Sequence, residues 1–265
     1  MTLIQELAIP AAPGLSGPAI VPVNDYGVPS LGLKRQFKFA EATLASGVKD
    51  DIGNEFFGLA GADTSSALSG GGLRTTGYRY VQGPEIDLTQ PLTIGMVVTK
   101  NAPASWANSG QSFMGVANLT TLSGWRMFLA ALDPDDITSG ATFGGFVDPT
   151  AAGVGLSRLT IPKPWSARFD KPHAFFFRSL GDGQVQFIQR TQTGITVLAA
   201  TWNLAQLANG VANLLLIGGE RSDAGLRHGQ MIWDLGAVWD RALSQQAMDT
   251  FTARGLAIAA ARGRS

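Results

Sequence analysis

One stretch near the carboxyl end, Gly229 to Trp239, constrains the fold more than any other part of the chain. After Gly229 its odd-numbered positions are all apolar, and they are Met231, Trp233, Leu235, Ala237 and Trp239. The even-numbered positions are mixed in character. A period of two is typical of a β-strand with one face on a core. The sequence therefore predicts a strand here whose odd-numbered side chains are buried.

The residues on either side of this strand predict its neighbours. Leu214 to Ile217 has the pattern of a short buried strand that stops at Gly218 and Gly219. Ser244 is placed to cap a helix that carries Met248, Phe251 and the apolar run around Leu256. The chain is therefore expected to end in strand, strand and short helix.

The composition favours one all-β domain. The 265 residues include 33 glycines and 13 prolines, and only 15% are charged, which suits short strands joined by turns. Residues 141 to 166 are rich in glycine and proline, and their pattern predicts no particular strand or helix. Further strands are predicted at Ser112–Ala117, Trp125–Leu132, His173–Arg178, Gln184–Arg190 and Ile195–Ala199.

Three motifs carry a resemblance to a known fold family. Trp239 to Ser244 reads WDRALS, Asp50 to Asn54 reads DDIGN, and the stretch from Pro84 to Val98 contains an "L-D-L-T"-like strand. Together they resemble the laminin-G-like, concanavalin A-type domains over about residues 35 to 255. The resemblance implies an antiparallel two-sheet jelly-roll sandwich at residues 35–265, with a short C-terminal helix. Within the stretch from Pro84 to Val98, Leu92, Ile94, Met96 and Val98 alternate with Thr93, Gly95, Val97 and Thr99, a pattern that favours a half-buried strand.

Residues 1–34 differ from the rest of the chain. Five prolines lie between short apolar pieces from Ile9 to Ser30, which excludes a helix or a central strand. We expect an extended N-terminal arm, held either by its own domain or by a neighbouring subunit. A flexible leader is the alternative.

The charge balance and the missing cysteines exclude several classes of function. Twenty basic residues balance twenty acidic ones, which argues against nucleic acid as the main partner and against an electrostatic membrane anchor. No apolar run approaches the roughly 20 residues of a membrane span, and the first residues lack the positive region of a secretory signal. With no cysteine, disulfides and cysteine-based zinc sites are excluded.

The sequence lacks a recognisable set of catalytic residues and predicts a protein that is not an enzyme. Glu85-Ile86-Asp87-Leu88-Thr89-Gln90 resembles the "E-x-D-x-x-E" strand of family-16 glycosidases, but the third acid is a glutamine. Neither His173 nor His228 has a nucleophile motif nearby. A calcium site could be formed by Asp133, Asp135 and Asp136, but we favour the interpretation that this stretch is a solvated turn. We therefore expect no catalytic residues, no metal and no cofactor.

Binding is the remaining class of chemistry. Sugars are recognised by aromatic rings that stack on them and by planar polar groups at the ring edges. Trp202, Trp233 and Trp239 are predicted to be structural. The candidate contacts lie in polar loops, and they are Trp106, Asn108, Trp125, Arg126, Arg221, Asp223 and Arg227.

The resemblance implies a function by analogy of fold. We expect a non-catalytic virion structural or recognition protein, such as a phage tail, fibre or capsid-surface component. Under this hypothesis the arm binds other subunits of a homo-oligomer, and the sandwich is displayed to a cell-surface glycan. One alternative is a free carbohydrate-binding lectin, outside the cell or on its surface. Another is a polysaccharide hydrolase or lyase of the same fold.

Overall fold

The computed structural model describes residues 20–39, 47–60, 68–69, 72–75, 80–87, 90–100, 111–118, 124–131, 141–148, 157–161, 171–191, 194–201, 213–217 and 231–264. These residues form two antiparallel β-sheets and one helix near the carboxyl end. The predicted class, an all-β two-sheet sandwich with a short C-terminal helix, is therefore confirmed. The finer jelly-roll connectivity stays a prediction.

The larger sheet has ten strands among the described residues. They are β1 (Leu33–Lys38), β2 (Val48–Asp50), β3 (Glu55–Phe57), β5 (Leu68–Ser69), β6 (Gly72–Thr75), β8 (Leu92–Lys100), β13 (Pro172–Ser179), β14 (Gln184–Arg190), β15 (Ile195–Thr201) and β17 (Met231–Trp239). Their order is β15-β14-β13-β8-β17-β1-β2-β3, and the β5–β6 pair joins through β6 to β17. The strands β8 and β17 therefore lie at the centre of this sheet.

The smaller sheet has seven strands among the described residues. They are β4 (Leu59–Ala60), β7 (Tyr80–Glu85), β9 (Gln111–Asn118), β10 (Gly124–Ala131), β11 (Ala141–Asp148), β12 (Ser157–Ile161) and β16 (Asn213–Ile217). Their order is β12-β11-β10-β9-β16-β7-β4. The strands predicted from local pattern are confirmed in β9, β10 and β13 to β17. The strands β11 and β12 were missed, because glycines such as Gly144 and Gly145 weaken a strand signal.

The strand predicted from Pro84 to Val98 is wrong in its first half. Glu85 ends β7 in the smaller sheet, and β8 begins only at Leu92 in the larger sheet. The chain crosses from one sheet to the other between them. Pro91 stands immediately before β8, where its missing N–H removes no ladder hydrogen bond.

Helix α1 (Gln245–Ala261) covers one face of the larger sheet, and this changes the burial expected for β8. Every residue from 92 to 99 is buried, so the prediction of a half-buried strand is wrong. Thr93 shows why a polar residue is tolerated there. Its hydroxyl donates to the Arg241 carbonyl at 2.8 Å and accepts from the Leu243 N–H at 2.9 Å. These two hydrogen bonds hold the WDRALS corner against β8.

A β-bulge divides the odd-numbered residues of β17 between two faces. The register with β8 pairs Trp233 with Val98 and Leu235 with Val97, which leaves Asp234 as the extra residue. Trp233 is fully buried against Phe39 on the face turned away from α1, at a ring-centroid distance of 5.9 Å. The predicted single core face for this strand is therefore wrong, although both tryptophans are buried as predicted.

The residues that follow the bulge belong to the core beneath α1. Leu235, Ala237 and Trp239 pack there with Phe176 and Phe251. The Phe251 ring meets Trp239 edge-on at 5.2 Å. The strand is thus buried on both sides, because Leu235, Ala237 and Trp239 lie beneath α1 and Gly236 on the opposite face lies close to Met96 and Phe39.

The predicted start of α1 is confirmed. Ser244 has extended backbone angles, and its hydroxyl accepts from the Ala247 N–H at 3.2 Å. Gly255 lies on the buried side, where an added Cβ would overlap the Val97 side chain. The helix can therefore approach β8 closely only at a glycine. No helix in the described ranges has the length and hydropathy required to traverse a bilayer.

Residues 21 to 32 pack on the same face of the larger sheet as α1. Val28 is fully buried in the core under the helix, and the Trp239 indole N–H donates to the Pro29 carbonyl at 2.7 Å. Asn24 accepts from the N–H groups of Tyr26 and Val28 at 3.1 and 3.0 Å and so holds the turn. This part of the proline-rich segment contacts its own domain. The division of the chain at residue 34 stays a prediction, since residues 1–19 lie outside the described residues.

Candidate functional site

Four strand ends from both sheets meet at one end of the molecule. Because β17 runs antiparallel to β1 and β8, its end at Trp239 lies beside Leu33 and Thr93 near the starts of those strands. The end of β7 at Glu85 comes from the smaller sheet, and the crossover to β8 follows it. Polar residues placed just beyond these strand ends are therefore brought together.

A cleft of about 380 Å³ opens at this point. Its volume lies in the lower part of the roughly 300–1,000 Å³ range of small-ligand pockets. The lining combines an apolar floor with charged and amide groups, and it consists of Lys34, Arg35, Pro84, Glu85, Ile86, Asp87, Gln90, Pro91, Leu92, Val238, Trp239 and Asp240.

Lys34 and Asp240 form an ion pair in the cleft lining. Lys34 Nζ lies 2.9 Å from Asp240 Oδ2, and both side chains are exposed. The Asp240 N–H donates to the Gly32 carbonyl at 2.9 Å, and Gly32 has a φ of +77° that favours glycine. An exposed pair contributes at most about 1 kcal/mol to stability. Its side chains therefore remain available to exchange this contact for a ligand.

Arg35 is held away from such a role by two acids outside the cleft lining. Its guanidinium donates to Asp50 at 2.9 Å and to Glu55 at 2.8 Å. The hydrogen bond that Arg35 donates to Asp50 and the charges of both acids raise the pKa of Arg35 against the opposing effect of burial. Asp50 is itself fully buried and accepts from the Gln36 and Gly53 N–H groups at 2.9 Å each. The DDIGN turn is thus structural.

The end of β7 presents two carboxylates and hides an apolar residue between them. Glu85 and Asp87 are exposed, whereas Ile86 is only 7% exposed. Gln90 follows in the crossover and is also exposed. Carboxylate and amide oxygens accept hydrogen bonds from hydroxyl groups, and an apolar floor accommodates C–H faces. The arrangement suits a polyhydroxylated ligand.

No cluster of three or more His, Cys, Asp or Glu side chains that could hold a metal is present in the described part of the chain. The charged and amide side chains that line the cleft are those of Lys34, Arg35, Glu85, Asp87, Gln90 and Asp240.

Solved structures with a similar fold include carbohydrate-related proteins at low sequence identity. A Trypanosoma rangeli sialidase in complex with sialic acid is 14% identical with a TM-score of 0.56, over 88% of this chain and 35% of that one. The botulinum neurotoxin serotype C1 binding domain is 8% identical with a TM-score of 0.56, over 84% of this chain and 52% of that one.

A third similar structure matches one whole domain. Domain 4 of an extracellular arabinanase from Geobacillus stearothermophilus, in complex with arabinotriose, is 13% identical with a TM-score of 0.50. The match covers 83% of this chain and 98% of that domain. No protein-family model and no curated protein matches the chain.

These likenesses concern the fold. The chain spans about a third of the sialidase and about half of the toxin domain, at 35% and 52% of their lengths. The set includes both catalytic proteins and binding domains, so it gives no answer on catalysis. The laminin-G-like family assignment stays a prediction.

The structure leaves the predicted sugar contacts untested. Trp125 and Arg126 lie in β10 and pair with β9 and β11. The other five candidates lie outside the described residues, and they are Trp106, Asn108, Arg221, Asp223 and Arg227. The aspartates of the calcium hypothesis, Asp133 to Asp136, lie outside them as well, together with Trp202 and His228.

His173 is described, and it is a core residue. Its side chain is buried, with Nδ1 2.6 Å from Gln189 Nε2 and its ring stacked on Phe175 at 6.0 Å. The side chain of His173 therefore has a packing and hydrogen-bonding role near the start of the aromatic strand β13.

Sequence reasoning missed Lys34, Asp240 and Gln90 as members of one site. Asp240 was recognised only as part of the WDRALS corner, and Gln90 only as the residue that spoils a glycosidase motif. A usable signal was present. A charged residue directly after a central strand and another at the start of an adjacent antiparallel strand must meet at one sheet end.

Proposed function

We propose that the protein is a non-catalytic carbohydrate-recognition module whose saccharide binds in the cleft between β7 and the end of β17. The observation that carries this proposal is the cleft itself, in which an apolar floor lies beside the Lys34–Asp240 pair and the acceptors Glu85, Asp87 and Gln90. The shared fold of a domain in complex with arabinotriose supports it.

The test is binding of arabinotriose and of a printed glycan array to the full chain, followed by calorimetry on the strongest binders. Lys34→Ala removes a cationic donor and Asp240→Asn replaces a charged acceptor by a neutral amide, so we expect a loss of affinity of about tenfold or more for each. Asp25→Asn is the matched control, since Asp25 is exposed and does not line the cleft. Binding that survives both cleft substitutions unchanged would contradict the assignment of the site.

Catalysis is the second candidate function, because Glu85 and Asp87 both line the cleft. The proposal treats them as ligand acceptors, since Gln90 stands in the position of the third acid of the glycosidase motif and cannot transfer a proton. Hydrolysis or cleavage of a polysaccharide that disappears in Glu85→Gln would establish an enzyme instead.

We further propose that the module is part of a homo-oligomeric virion protein, in which the proline-rich arm of residues 1–34 binds other subunits through the part that precedes residues 21 to 32, since those residues pack on their own domain. The composition of that segment and the laminin-G-like resemblance support this. Light scattering after size-exclusion chromatography tests it on the full chain. A stable oligomer is expected. A monodisperse monomer whose first residues are readily cleaved by protease would favour the free lectin.

A further inference from the structure

Strand β15 forms one edge of the larger sheet, and β14 is its ladder partner among the described strands. The edge strand β12 of the smaller sheet approaches β15 without forming a ladder with it. Of the strands that end the two sheet orders, β15 is the longest, with seven residues against five for β12, three for β3 and two for β4. It therefore offers a further strand the longest row of backbone groups.

The sequence of β15 does not oppose the addition of a strand. Sheet edges are commonly protected by charged residues, prolines or bulges. The strand reads ITVLAAT, without a charge or a proline, and its pairing with β14 shows no bulge. Ile195 and Val197 are 42% and 44% exposed, and Ala199 on the same face is exposed as well. Val197 pairs with Ile188 of the core beneath α1, so this apolar stripe lies beside the helix.

The hairpin between β14 and β15 determines which backbone groups point outward. The Thr191 N–H donates to the Gly194 carbonyl at 2.9 Å, so these two residues form a hydrogen-bonded pair. Hydrogen-bonded and non-hydrogen-bonded pairs alternate along an antiparallel ladder, and residues of the second kind direct their N–H and C=O groups away from the partner strand. The outward-directed residues of β15 are therefore Ile195, Val197, Ala199 and Thr201.

From these features we infer that β15 pairs antiparallel with β15 of a second copy of this chain and so joins two larger sheets into one. A two-fold axis at Leu198 uses the whole strand, because Val197 then lies opposite the partner's Ala199 and Ile195 opposite the partner's Thr201. The outward N–H groups of each copy meet outward carbonyls of the other, and no like charges face each other.

The same arrangement covers the apolar stripe. Cross-strand neighbours on one face of an antiparallel pair contact each other, so the exposed side chains of the two copies shield one another from water. This interface lies apart from the saccharide cleft and from the arm of residues 1–34, and it goes beyond the proposed function.

Sedimentation equilibrium of the full chain between about 1 and about 100 µM tests the interface. We expect a dimer whose dissociation constant rises at least about tenfold in each of two variants. Val197→Pro removes an outward N–H that the β14 ladder does not use, and Val197→Lys places a charge in the interface. Phe56→Lys is the matched control, because Phe56 is 57% exposed on β3 at the opposite edge of the sheet. Thermal unfolding verifies that each variant keeps the fold.

Cross-linking identifies the occupant of the edge. The chain has no cysteine, so Val197→Cys and Ala199→Cys each introduce a single thiol. Paired strands bring opposite Cα atoms within the range that a disulfide spans. An oxidised mixture of the two variants should give far more covalent dimer than either variant alone, and Phe56→Cys should give none.

The contrary outcomes are distinct. A wild-type dimer that both Val197 variants leave intact would overturn the inference and leave the arm as the contact between subunits. Loss of the dimer in those variants without a cross-link in the mixture would mean that another segment, such as the arm, occupies the edge. A monomer at all concentrations would overturn this interface and the proposed homo-oligomer together, while binding of a saccharide in the cleft would stand.

Discussion

The carboxylate of Asp234 is fully buried, and a single irregularity in β17 puts it there. As the extra residue of the bulge, it reaches the C-terminal end of α1. Arg262 Nη1 donates to its Oδ1 at 3.0 Å, and Arg264 also pairs with it. A buried charge is tolerated when several hydrogen bonds satisfy it. The bulge and the residues that directly follow α1 therefore depend on each other.

Asp234→Asn tests this dependence. It keeps the shape but leaves two largely buried arginines without their counter-charge. We expect the free energy of unfolding, measured in urea, to fall by about 3 kcal/mol. Asp25→Asn at an exposed turn should change it by no more than about 0.5 kcal/mol. Equal stability of the two variants would show that the arginines find other partners.

At Gly255, α1 packs so closely on β8 that the side chain is limited to a single hydrogen atom. In an ordinary helix Gly→Ala stabilises by about 1 kcal/mol. Here the new methyl group would overlap Val97 on β8, so we expect a net loss of about 2 kcal/mol in thermal or urea unfolding. Gly58→Ala is the matched control, because nothing lies within 4 Å of its added Cβ. Stabilisation by Gly255→Ala would mean that α1 packs less closely than described.

The elements of this fold were predictable to the extent that local pattern determines them. The alternation in β17, the aromatic run of β13 and the Ser244 cap each predict their element from neighbouring residues alone. The bulge at Asp234 was not predictable, because one extra residue changes which side chains share a face without changing their identity. Burial on both faces of β8 was missed for a related reason. This burial depends on α1 and on the corner before it, whose Leu243 N–H donates to Thr93. The two residues of that hydrogen bond are 150 positions apart in the chain.

Residues 21 to 32 pack on the larger sheet through Val28 and through the hydrogen bond from Trp239 to Pro29, and a substitution at Trp239 tests this contact. Trp239→Phe removes the indole donor to Pro29 and shrinks a buried side chain. We expect the opening free energy at the Val28 amide, from hydrogen exchange, to fall by about 1–2 kcal/mol more than the global stability does. Trp233→Phe truncates the opposite face and should lower global stability without this extra local loss. Equal effects of the two variants at Val28 would argue against the Pro29 contact as the anchor.

At the scale of the whole molecule, the cleft follows from the meeting of two sheets. Lys34 and Asp240 are far apart in sequence but are joined by the antiparallel pairing of β1 with β17. Glu85 and Asp87 arrive from the smaller sheet at the crossover to β8. The sequence indicated the β7 acids only as an incomplete catalytic motif. Topology, which no local pattern contains, is what makes them part of a pocket.

Mapping where a saccharide contacts the protein tests whether the cleft is the binding site. Backbone amide shifts would be followed by NMR during titration with arabinotriose or the strongest glycan from the array. We predict that the largest changes fall on Lys34, Glu85, Asp87, Gln90 and Asp240, with little effect near Asp25. Changes centred instead on Trp106 or Trp125, or no saturable change at all, would contradict the cleft as the binding site.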